Sequence, residues 1–178
     1  MPGRRPPPRV PELSEDISRF VADLQQEKTD RGVALVGAAF LDDALRALIR
    51  AALIEKSETA DNLFKYPGPL ATFAARTDFA YCMGLIGKMM FQDLKLVREV
   101  RNSFAHQHRP ARFEDPEVTR LCKRLRIGHL YELVSPDARN RFILEIVMLS
   151  IEILHIGHDV KHAKPGAEFR LPRVKPPL

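Results

Sequence analysis

Apolar side chains recur along this chain at helical spacing almost from end to end. Leu13, Ile17, Phe20, Val21 and Leu24 follow the i, i+4, i+7, i+8, i+11 template of an amphipathic helix, with Ser14 as candidate N-cap. Asp30 can cap a second, longer helix running to about Glu55. Its first half, Val33 to Leu41, is apolar on every side and rich in Gly and Ala, which predicts a central position with close-packed neighbours. Its second half turns amphipathic, with Asp42, Asp43, Arg46 and Arg50 on the polar side.

Residues 56–69 contain Ser57, Thr59, Asp61 and the sequence Tyr66-Pro67-Gly68-Pro69, which predicts a loop with one short helical turn. A third helix is expected from about Pro69 to Leu85, because Pro is tolerated in a first helical turn. A fourth starts near Lys88 and runs through Arg101 to His106. Asp115-Pro116-Glu117 opens another, with Val118, Leu121, Cys122 and Leu125 on one face. Ser135-Pro136-Asp137 opens the last, whose stripe includes Phe142, Ile146, Leu149, Ile153 and Leu154. No stretch alternates with period two for long enough to form a strand. The prediction is an all-α bundle of five to seven helices.

Composition adds the boundaries. The 178 residues are 45% hydrophobic and 29% charged, the balance of one globular domain. The formal charge of +5 suggests a nucleic-acid partner, but residues 11–160 carry 20 basic against 22 acidic side chains. The excess sits at the ends, where Arg4, Arg5, Arg9, Lys161, Lys164, Arg170, Arg173 and Lys175 face Glu168 alone. Nine of the fourteen prolines also lie in residues 1–11 and 163–178. This predicts a disordered basic Pro-rich arm over 1–11, one helical domain over 12–162 and a disordered basic tail over 163–178.

Other classes fall away. The longest charge-free apolar run, Gly32 to Leu41, is ten residues, too short to span a bilayer, so no membrane partner is expected. No apolar core follows the basic N-terminus, which excludes a secretory signal there and leaves the cytoplasm as the expected compartment. Cys82 and Cys122 lie in helical patterns without CxxC pairing, and each is expected to be a buried, reduced thiol.

The candidate chemistry lies in Arg98-Glu99-Val100-Arg101-Asn102-Ser103-Phe104-Ala105-His106. At 100° per residue, Arg98, Asn102 and His106 share one stripe, Arg101 sits beside it, and His108 and Arg109 lie just beyond. Leu94, Val97, Val100 and Phe104 form the opposite, core-directed face. An imidazole moves protons near neutral pH, Arg clamps phosphate oxygens, and Asn can orient either the histidine or a substrate. The same residues are also ordinary on a solvent-exposed helix face, and cations near a helix C-terminus complement its dipole.

Arg101-Asn102-x3-His106 resembles the Arg-Asn-x3-His signature of the HEPN superfamily, all-α proteins that include many ribonucleases. A wider pattern, with the helix Val33 to Ile54, Gly68-Pro69-Leu70, Arg76, Tyr81, Gly84-Leu85-Ile86, Arg101 and His106, resembles the mannitol operon repressor (MtlR) family across roughly residues 30–160. The HEPN resemblance implies a homodimer with signature helices face to face and a composite, metal-independent endoribonuclease site. His106 would then be general base or acid on an RNA substrate, Arg101 would stabilise the phosphate, and Asn102 would position His106 or bind the RNA backbone. Asn102 is commonly absent from the repressor relatives. The MtlR resemblance implies instead a non-enzymatic regulator, acting through a protein or nucleic acid. The chain shows no helix-turn-helix with an exposed basic recognition helix. A cognate antitoxin or regulatory protein is the partner these two readings imply.

Supporting roles are expected for Arg98, His108, and Asp42 or Asp43, either of which could accept a hydrogen bond from Arg101. His155, His158 and His162 have metal-like spacing near Asp159, but a dipole-stabilised cluster at a helix C-terminus accounts for them more simply. His129 has no partner nearby in sequence and is expected to be structural. Gly32 and Gly37 lack the Lys-Ser/Thr of a phosphate loop. No metal and no cofactor are expected.

Overall fold

In the computed structural model, residues 15–105, 111–130 and 135–166 are described. They form eight helices and no strand. These are α1 (Glu15–Gln26), α2 (Asp30–Ala52), α3 (Glu58–Asn62), α4 (Phe73–Cys82), α5 (Lys88–Ala105), α6 (Pro116–Lys123), α7 (Ile127–Leu130) and α8 (Ala138–Asp159). The expected arm, the expected tail beyond residue 166, Leu13, Ser14, His106, His108 and Arg109 lie outside the described residues.

The central pair is α2 against α8. Gly37 permits their close approach, since a Cβ there would lie 3.2 Å from Cγ1 of Ile146. On α2, Val33, Ala34, Gly37, Ala38, Leu41, Leu45, Leu48 and Ile49 are buried. The expectation that Val33 to Leu41 is enclosed on every side needs correction: Val36 and Ala39 are exposed. Helices α8, α5, α4 and α1 all pack on α2. The apolar stripe of α8 is as expected, with Phe142, Ile146, Leu149 and Ile153 at most 1% exposed. Burying a Leu- or Phe-sized side chain contributes roughly 1.5–3 kcal/mol, so these rows hold the bundle together. Helix α1 contributes Ile17 and Leu24 to the core, and Phe20 stacks on Phe40 with ring centres 3.7 Å apart.

Polar residues set the helix ends. The cap of α2 is Thr29, not Asp30: its hydroxyl accepts the Gly32 N–H at 3.0 Å. Asp30 instead accepts the Phe113 N–H at 3.1 Å and pairs with Arg139 at 3.3 Å, tying the start of α2 to α8 and to the segment before α6. Helix α4 begins at Phe73, four residues later than expected, because Thr72 caps it by accepting from Ala75 at 3.2 Å. The carbonyls of Leu70 and Ala71 are taken by the Arg76 guanidinium and do not start a helix. Gly84 closes α4 at φ +69°, a left-handed conformation that suits Gly. Its N–H donates to Tyr81, and the Leu85 N–H donates to Ala80, which together make a Schellman ending. Helix α2 stops at Ala52 rather than Glu55, and after α8 the Ala163 N–H donates to the Ala52 carbonyl at 3.1 Å.

The count exceeds the expected five to seven because α7 carries too few residues to show a period. Cys122 is buried and its thiol is pushed up to about 12 by loss of solvent. Cys82, in contrast, is exposed at the last turn of α4, so the expectation of a buried thiol fails there.

Candidate functional site

The apolar face of α5 enters the core as expected: Leu94, Val97, Val100 and Phe104 are buried. The other face therefore turns outward, with Arg98 and Arg101 half-buried and Asn102 exposed. These three line one open groove of about 520 Å³ between α2, α5 and the start of α4, together with Asp42, Thr72 and Phe73. The two guanidiniums and the N-terminal end of α4 give it a positive field, since helix N-termini carry partial positive charge. Arg101 Nη1 donates to Asn102 Oδ1 at 3.2 Å. The structure brings Arg98, Arg101 and Asn102 together; His106 and His108 lie beyond the described end of α5.

Asp42 reaches this groove but does not serve Arg101, and that expectation is corrected. Its carboxylate pairs with Arg76, whose side chain also donates to the carbonyls of Leu70 (2.9 Å) and Ala71 (3.3 Å). Arg76 is only 6% exposed, so its charge requires a partner, whereas Arg101 keeps contact with water. Asp43, one residue on, is exposed and outside the groove lining. Arg76 thus fastens the α3–α4 connection to α2. A lone Arg among Ala, Phe and Thr in a weakly amphipathic helix is the sequence signal for it.

A second polar node was not legible as a motif. Asp93 of α5 and Glu145 of α8 are 0% and 1% exposed and meet side by side. Asp93 accepts the N–H groups of Arg126 and Ile127, each at 3.1 Å. Glu145 accepts from Ile127 at 3.2 Å and Gly128 at 3.1 Å. The pair therefore satisfies the open N–H groups at the start of α7 and holds that short helix between α5 and α8. Burial, followed by the neighbouring Asp93 charge, pushes the Glu145 carboxyl up to about 8. The signal was there: each acid occupies a core register, Asp93 between Met90 and Val97, Glu145 between Phe142 and Leu149.

The histidines divide. His162 lies past α8, its Nδ1 2.8 Å from the Leu53 carbonyl, while His155 and His158 are exposed. Among the described residues no group of His, Cys, Asp and Glu is arranged to hold a metal ion. His129 has a partner after all: an Arg141 guanidinium nitrogen lies 3.2 Å from its Nε2.

An all-α bundle with an open polar groove and no helix, among the described residues, long and apolar enough to cross a membrane defines the class. The sequence model of the family described as mannitol repressor matches residues 16–150, and the chain belongs to that family. Among solved structures, it is similar to a chain of the X-ray structure of the MtlR–HPr complex from Escherichia coli. The TM-score is 0.64 at 18% identity, covering 77% of this chain and 97% of that one, a likeness of fold. A comparison with curated proteins finds no match.

Proposed function

We propose that this chain is a non-enzymatic regulator that acts by binding a protein partner in the cytoplasm. Membership of the mannitol repressor family and a structural relative in complex with HPr support that reading. The observation that carries it is an exposed apolar corner where α4 meets α5. Tyr81, Met83 and Met89 are 39%, 54% and 38% exposed, and Tyr81 is backed by Phe91 with ring centres 4.4 Å apart. Aromatic and Met side chains exposed at helix ends are the kind of anchor that protein interfaces favour. Calorimetric titration of the full chain with purified HPr should give saturable 1:1 binding, weakened at least about tenfold by Tyr81→Ala. Absence of binding, or binding indifferent to Tyr81, overturns this reading.

A second reading rests on Arg98, Arg101 and Asn102 lining one groove. In it the end of α5 is a metal-independent endoribonuclease, with His106 as general acid or base and two protomers apposed. RNA cleavage in EDTA that disappears in His106→Ala, with unchanged folding, supports it. Cleavage that survives the substitution refutes it.

A further inference from the structure

A separate cleft lies on the other side of α5, against the C-terminal end of α6. It encloses about 670 Å³, and its charged lining is Lys95, Lys123, Arg124 and Arg126 with Glu99 as the one carboxylate. Phe91 and Leu96 supply an apolar wall, and the Lys95 ammonium stands 5.2 Å over the Phe91 ring. None of these residues lines the α2/α4/α5 groove.

Arg126 is the fixed element. Its Nε faces Asp93 Oδ1 at 3.4 Å, and its Nη2 donates to Gln92 Oε1 at 2.6 Å. The Asp93 carboxylate beneath is itself held by two backbone N–H groups. Asp93 and Gln92 thus anchor the guanidinium at the cleft and leave its Nη1 without a hydrogen bond among the described residues. Asp93 balances Arg126, so Lys95, Lys123 and Arg124 stand against Glu99 with an excess of two positive charges. That matches a dianion. A cation at the end of a helix is ordinary when solvated, but here four from two helices and the α6–α7 connection converge on one concave, partly apolar space of ligand size.

The surroundings favour a compact ligand over a strand. Residues 11–160 carry 20 basic against 22 acidic side chains, so the body as a whole has no excess of positive charge with which to attract a polyanionic strand beyond the cleft. We propose that this cleft binds a small organic phosphate, its phosphate held by Arg126, Arg124 and Lys123 and its carbon skeleton lying against Phe91 and Leu96.

The test is calorimetric titration of the full chain with phenyl phosphate, a dianion near neutral pH with an apolar skeleton, and in parallel with single-stranded oligonucleotides of increasing length. Phenyl phosphate should bind saturably at one site. Affinity should fall at least about tenfold in Lys123→Ala/Arg124→Ala and in Lys95→Glu, which alters the opposite wall. The control Lys28→Ala/Arg31→Ala removes as much charge from exposed positions elsewhere and should change it less than twofold. Three outcomes overturn the proposal: no saturable phenyl phosphate binding, equal losses in the control, or oligonucleotide affinity that rises with length and exceeds that of phenyl phosphate.

Discussion

The two sides of α5 carry similar residue types under opposite physical rules. On one side Arg98, Arg101 and Asn102 line an open groove, where water screens each charge and, among the described residues, the Arg101–Asn102 contact is the hydrogen bond that these side chains make. On the other, Asp93 is fully buried, meets Glu145 and fixes α7 and Arg126 through three hydrogen bonds. Polar residues near solvent are free to serve a ligand and cost little to replace. Polar residues inside hold backbone and cannot be removed without leaving N–H groups unsatisfied. Arg76 belongs with the second kind although it borders the first, which is why it, and not Arg101, holds Asp42.

This contrast can be broken by substitution. Asp93→Ala should cost the most, about 3–5 kcal/mol in denaturant unfolding, because it orphans the Arg126 N–H and leaves the α7 start half-capped. Arg76→Ala should follow at about 2–3 kcal/mol, since Asp42 and the Leu70 and Ala71 carbonyls lose their donor. A loss below about 0.5 kcal/mol for either would erase the distinction between the two sides.

A smaller effect sharpens it through pH. The folded chain holds the Glu145 proton up to about pH 8, while an ordinary Glu releases it near 4.5. Unfolding therefore releases a proton between those values, so this contribution to stability is complete below pH 4.5 and declines as pH rises toward 8. Between pH 7 and 8 the loss should be about 1 kcal/mol, seen as a falling midpoint in thermal unfolding. Glu145→Gln should flatten that dependence. Smallest of all, Arg101→Ala should change stability by no more than about 0.5 kcal/mol, as measured by the same unfolding curves. A larger loss would place Arg101 with the buried group.

Helix identities were legible because burial writes a 3.6-residue period into the sequence. Leu94, Val97, Val100 and Phe104 face inward, and Phe142, Ile146, Leu149 and Ile153 do the same on α8. Helix ends were less legible. Thr29 took the capping role expected of Asp30, and Thr72 displaced the start expected at Pro69, since a cap depends on which hydroxyl reaches which N–H. The stripe of Arg98, Arg101 and Asn102 followed from spacing within one helix. The basic cleft did not, because Lys95 and Arg126 are 31 positions apart and only folding brings them to one space.

The sequence by itself determined the helical class, the core-facing stripes and the membership of a repressor family. Each depends on neighbours within a few turns, or on a pattern spread along the whole chain. Only the tertiary structure decided which acid meets which base. Asp42 went to Arg76 and Asp93 to Arg126, because desolvation makes a buried charge select its partner in three dimensions, whatever lies beside it in sequence.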